Sequence, residues 1–388
     1  MALAHLLERL CPRMEHLDCT HTSGSEFDAF LTTRDGRIVP CHAVLLGARC
    51  PALQGFDVAE DSDVVLWTLR WAYCEALDFI KSDSSRGLGD RVARLAEAWG
   101  LRDTSVLRKR LVKSWRTEKL TGSLASDMLR AYDADLLTSL HFRCVDVQAR
   151  AFELVAGGWP ALLRAGSEYF RAMLGGSWAE AKATEIEVHW PKKQLHKLIR
   201  FLHGGTFVSK PADCQDAVEV AEFFGVDALL AHVHDWITSS LTLRNSALLW
   251  DFVDRDPRMQ RVLYVKDLKD SEAIAWMDAC ADADDACFDF HIKQFTVLAE
   301  EPEGSDGSWV PLHDLSIPLM HRLVSSGLIC MNTEQLKAVV EKYAQAKCAG
   351  HAEFKELAKR LLPPEVLFNR ELRDALLGTR ELSIHSLL

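Results

Sequence analysis

No stretch of this chain approaches the ~18 uninterrupted apolar residues that a membrane-spanning helix needs. Basic residues are in the minority: 45 Lys and Arg stand against 56 Asp and Glu, for a formal net charge of −11. That sign disfavours a broad nucleic-acid groove or an anionic membrane surface as partner. Paired cysteines at metal or redox spacing are missing as well. The 11 cysteines are scattered, and no C-x-x-C occurs. Met1 to Leu10 carries charges and no long apolar core, unlike a secretory leader. Reduced thiols in the cytoplasm or nucleus are therefore expected. Phosphate-binding loops are absent, since "GGSW" and "HGGT" lack the Walker lysine. "GARCPAL" is not a G-x-S-x-G nucleophile elbow. These absences point away from an enzyme and imply no catalytic residue, cofactor or metal.

What is present is an ordinary globular composition, 48% apolar and 26% charged over 388 residues, enough for two or three domains. "MALAHLLERL" reads as a short amphipathic helix. Asp35-Gly36 separates two alternating runs, which predicts a β-hairpin. Pro40 ends its second strand, and "HAVLLGARC" follows as a short buried helix. Val92, Leu95, Ala96 and Trp99 share one helical stripe that Gly100 stops. Thr121 to Leu140 reads as a connector with a helical stretch. "FRCVDV" suggests a strand, and "EIEVHW" predicts another, with Ile186 and Val188 on one face. Beyond Thr238 the spacing is helical, interrupted by a polar loop from Glu300 to Trp309.

The chemistry-bearing residues have plain alternatives. His42 lies on an apolar helix with no triad partner and reads as a buried, hydrogen-bonded structural histidine. His232 and His234 fall on different helix faces, so they do not chelate one metal. Cys41 and Cys50 flank a helix and read as small buried residues. "LRKRLVKSWRTEK", from Leu107 to Lys119, reads as the solvated face of a helix rather than a nucleic-acid patch. "DACADADDAC", from Asp278 to Cys287, lacks the Gly and Glu of an EF-hand and reads as a solvated acidic turn.

The chain also repeats itself. "HAVLLGARCPAL" aligns with "WPALLRAGSEYF", placing Cys50 on Ser167. "LRWAYCEALDF" aligns with "IRFLHGGTF", placing Tyr73 on His203. "RLAEAWGL" aligns with "EVAEFFGV", placing Gly100 on Gly225. Three blocks recur in one order. The pattern resembles the BTB (POZ) domain: Asp28, His42, Tyr73 and "LAEAWGL" in the first copy, and Asp146-Val147, "AGSEYFRAMLGGSWAE", "FLHGG" and "VAEFFGV" in the second. His42 to Tyr73 spans 31 positions, but Trp159 to His203 spans 44. The shorter first copy is expected to lack a helix and a strand. The second is expected to have a compressed hairpin. "DFHIKQFTVLAEE", "LMHRLVSSG" and "NTEQLKAVVEKYA" resemble the helical BACK region.

The resemblance implies an α+β, mostly helical chain: two BTB-like α/β units followed by an all-α BACK-like domain. The expected divisions are an N-terminal helical segment over 1–20, a shortened BTB-like domain over 21–118, a connector over 119–139, a second BTB-like domain over 140–238 and a BACK-like domain over 239–388. It implies protein partners, among them a cullin scaffold and a recruited target, and pairing of the two units within one chain. Leu88-Gly89-Asp90 resembles the apolar-x-acidic triplet that precedes the penultimate helix in cullin-binding members. Leu88 and Asp90 are therefore the candidate partner-binding residues, and the plain alternative is that Leu88 is core. The second copy has Asp213-Cys214-Gln215 in that slot. A BTB scaffold or transcriptional co-factor without ligase activity is the competing function.

Overall fold

The computed structural model describes residues 27–75, 86–107, 123–136, 139–146, 151–175, 183–256, 283–300, 312–348 and 351–363, with 3, 7, 10–12, 180 and 259 besides. The chain forms two compact units, Met1–His232 and Val233–Leu388.

The first unit opens with the hairpin. β1 (Ala29–Thr33) buries Ala29, Leu31 and Thr33, and pairs antiparallel with β2 (Ile38–Cys41), where Leu31 faces Val39. Gly36 takes φ 74° in the turn, a conformation that favours glycine. Pro40 lies inside β2 rather than ending it. α1 (Ala43–Arg49) follows, and Asp28 reaches across to accept from the Ala43 N–H at 2.7 Å. This caps an orphan donor at the helix start. β3 (Asp57–Val58) joins the other side of β1 in parallel, so the first copy keeps a third strand that its sequence does not announce. The strand has shrunk to two residues. No helix lies between α1 and β3 among the described residues.

α2 (Ser62–Cys74) is buried along most of its length and ends at Glu75, which adopts a left-handed φ of 53°. α3 (Arg86–Ala98) turns Val92 and Ala96 fully inward, and Gly100 terminates it with φ 76°. α4 (Ser123–Asp133) lies in the expected connector and packs on α1 and α2.

The same strand order then recurs. β4 (Leu140–Asp146) and β5 (Ala151–Gly158) form a long antiparallel hairpin, with β6 (Glu185–Val188) parallel to β4. The hairpin is therefore not compressed. Opposite Phe142 and Arg143 the register skips Val155, a bulge in β5 that hides that strand from a period-two reading. The position preceding β4, equivalent to Asp28, is Ser139; Asp146 instead closes the strand. α5 (Pro160–Gly166) and α6 (Glu168–Gly175) are followed, after β6, by α7 (Lys192–Leu202), α8 (Asp213–Phe224) and α9 (Asp227–Ser240). β6 follows the predicted alternation, with Ile186 and Val188 buried.

Among its described residues the second unit is helical: the end of α9, α10 (Ser246–Arg255), α11 (Ala283–Ala299), a 3-10 turn at Leu312–Asp314, α12 (Ile317–Ser325), α13 (Thr333–Lys347) and α14 (His351–Leu361). Asn332 and Gln335 form a reciprocal capping box at the start of α13. Asp284 opens α11 rather than lying in a solvated turn. It accepts from Trp250 Nε1 at 2.8 Å and from the Arg322 guanidinium. The basic run from 108 to 119 and the loop from 301 to 309 lie outside the described residues.

Candidate interaction site

His42 precedes α1, and its backbone N–H donates to the Tyr73 hydroxyl at 2.9 Å; its Nδ1 lies 2.8 Å from the same oxygen. Both side chains are fully buried. His42 is thus the structural histidine that its setting implies. The second copy reproduces the bond with exchanged partners. The Trp159 N–H donates to His203 Nε2 at 3.1 Å, while His203 Nδ1 lies 2.7 Å from the Ile199 carbonyl. The Nδ1 proton goes to that carbonyl, so Nε2 is the acceptor and the ring is neutral. Burial pushes the His203 pKa down to about 4. The His42 ring meets the Trp159 indole edge-on at a centroid distance of 5.2 Å, joining the corresponding helix starts of the two copies.

A buried ion cluster ties α1, α2 and α4 together. The Arg49 guanidinium reaches Glu75 at 3.0 Å and Asp127 at 2.8 Å, and donates to the Ala72 carbonyl. Ser123 donates to Glu75 at 2.5 Å. Arg49 is 1% exposed, so the cluster lies in a medium where removal of one partner is expensive. Nothing in the local pattern of "HAVLLGARC" marks this arginine as buried. Its partner Asp127 lies 78 positions away.

Ser167 links α5 and α6. It donates to the Phe224 carbonyl at 2.6 Å and accepts from the Phe170 N–H at 3.2 Å, capping α6 as expected. Tyr169 and Phe170 both lie against Phe224, at 5.1 and 5.5 Å between centroids. Phe223 is 48% exposed and lies on Trp190 at 4.3 Å.

Leu88 and Asp90 both lie in the first part of α3, within the helix rather than before it. Leu88 is half-buried, Gly89 buried and Asp90 exposed. The neighbouring Arg91 donates to Glu60 and Asp61, and Arg34 donates twice to Asp61. The two guanidiniums, Arg91 first, lower the pKa of Asp61. Asp35 is held at about 2 by hydrogen bonds from Thr33 and then Ser62. The structure thus ties α3 to the segment around β3 through Arg91 rather than through Leu88 or Asp90. Beside this tie lies an open recess of about 260 Å³, walled by Leu53, Gln54, Asp57, Val58, Leu95 and Trp99. Sequence reasoning missed it. The signal available was the absence of rings at Pro51 to Gln54, opposite Tyr169 and Phe170.

Among the described residues no group of three or more His, Cys, Asp or Glu side chains is arranged to hold a metal. His234 is buried and His232 half-buried, with the His232 ring 5.2 Å from Phe201. Cys41 and Cys50 are buried, and burial pushes each thiol up to about 12. No described helix is long and apolar enough to cross a membrane.

Residues 160–241 match the BTB/POZ domain family, from the first residue of α5 through the end of α9. A curated relative, "BTB/POZ domain-containing protein 9" of Drosophila melanogaster, is 29% identical over 93 residues. That stretch covers 23% of this chain and 13% of the relative. The chain therefore contains one BTB/POZ domain, a protein–protein interaction module.

Proposed function

We propose that this chain is an intracellular adaptor, in the cytoplasm or nucleus, that works through surfaces and has no catalytic centre. In this reading it is a substrate-recruiting subunit of a cullin-RING ubiquitin ligase. Two BTB-like units pair within the chain, and a BACK-like helical region follows them. The observation that carries the reading is the BTB/POZ match over 160–241 beside an earlier sheet of the same strand order. The contact between His42 and Trp159 supports pairing of the units inside one chain. Leu88 would anchor the cullin and Asp90 would sit at the rim.

The test is affinity purification of the tagged chain from cells, with cullins sought among the partners. Recovery of a cullin with wild type, and its loss in Leu88→Ala without a lower melting temperature, supports the reading. A second reading, a BTB scaffold or transcriptional co-factor without ligase activity, is favoured by one observation. Leu88 is half-buried on a helix rather than presented by a loop. Recovery of protein partners without any cullin would select that reading.

A further inference from the structure

The two sheets share one strand order, and α1, α2 and α3 correspond to α5, α7 and α8, while α6 has no equivalent before β3. The correspondence can be followed residue by residue at this gap. In the second copy the Glu168 N–H donates to the Gly225 carbonyl at 3.2 Å, and a Cβ on Gly225 would meet Glu168 Cβ at 2.7 Å. In the first copy the Ala52 N–H donates to the Trp99 carbonyl at 3.2 Å, and a Cβ on Gly100 would meet Ala52 Cβ at 3.2 Å. With Cys50 on Ser167, Pro51 stands where Glu168 stands, and its Cγ would lie 3.4 Å from a Cβ on Gly100. Tyr169 and Phe170 come next in the second copy and lie against Phe224. Ala52 and Leu53 come next in the first, beside Trp99, and supply no ring. The open recess of about 260 Å³ lies at this place.

We propose that this recess binds a partner's short helical turn carrying adjacent aromatic side chains and a basic residue, in the place that α6 fills in the second copy. The volume suits aromatic side chains, and Leu95, Val58 and Trp99 give it an apolar floor. Among the six walls named above, Asp57 alone is charged, and it is exposed, so the complementary occupant is cationic. The proposal rests on the internal correspondence of the two copies and stands whether or not a cullin binds.

The probe is an acetylated, amidated peptide of this chain's residues 165–176 carrying Glu168→Gln, which leaves Arg171 as its one charge. It is titrated calorimetrically into the full chain. Saturable binding is expected, with at least a ten-fold loss when Tyr169 and Phe170 of the peptide are both Ala. Gln54→Phe fills the recess from a position exposed in the native chain. It should weaken binding at least ten-fold without lowering the melting temperature, and Asp57→Lys should weaken it too. No saturable binding, or binding indifferent to Gln54→Phe, overturns the proposal. So does a wild-type dimer that becomes monomeric with Gln54→Phe, because the occupant is then a second copy.

Discussion

Nε2 of His203 accepts the Trp159 backbone N–H at 3.1 Å, the place that the Tyr73 hydroxyl takes against His42 in the other copy. A phenol meets this demand at any ordinary pH, but an imidazole meets it only while neutral. Burial holds the His203 pKa at about 4, below the usual 6.5. The unfolded chain then binds the extra proton first as pH falls. The contribution is complete above pH 6.5 and is lost as pH drops toward 4. The shift corresponds to about 3 kcal/mol. Urea unfolding followed from pH 7 to pH 4 should show this fall, and His203→Gln should reduce it, leaving the part due to His234 and His291, which burial also pushes down to about 4. An unchanged slope in that variant would remove His203 as the cause.

Ser167→Ala should destabilise the BTB/POZ domain by about 1–3 kcal/mol, because the Phe224 carbonyl and the Phe170 N–H both lose a partner. Ser167→Leu should cost more, since the site is fully buried and a larger side chain must displace its neighbours. Denaturant midpoints of the two variants check both the size and the order.

Arg49→Met should cost about 3–5 kcal/mol by withdrawing the cation between Glu75 and Asp127. Adding Glu75→Gln to Arg49→Met should recover part of that loss. A double variant less stable than Arg49→Met alone would show that Glu75 is held by other groups.

The sequence made some of this readable and concealed the rest for identifiable reasons. Asp35-Gly36 between alternating runs announces the first hairpin, and Ile186 and Val188 announce β6, because each pattern extends over several residues. Asp57–Val58 is too short to show any period. The bulge opposite Phe142 and Arg143 leaves Val155 as an extra residue in β5 and shifts that strand out of phase, so a full hairpin reads as a short one. Arg49 looks like an ordinary exposed helix residue, since the carboxylates that neutralise it belong to α2's end and to α4. Leu88 and Asp90 stand out by a triplet alone, and a triplet does not tell a loop from the first turn of a helix.

Thiol reactivity should divide by burial. Cys330 is exposed, whereas Cys41, Cys50 and Cys214 are buried, with thiols pushed up to about 12. Brief treatment of the native chain with iodoacetamide, read by peptide mass spectrometry, should modify Cys330 well before those three. Equal modification of all four would mean that the first unit opens on the labelling timescale.

Glu75 sets two preferences of the chain against each other. Its φ of 53° is one that glycine adopts without strain, and its carboxylate is one that Arg49 needs. An engineer guided by backbone geometry alone would write Glu75→Gly and expect to gain about 1 kcal/mol. The same substitution removes an anion from a buried cluster and should lose more than it gains. Glutamate at a glycine-like bend is thus the compromise that lets one residue end α2 and hold the neighbouring helices by charge.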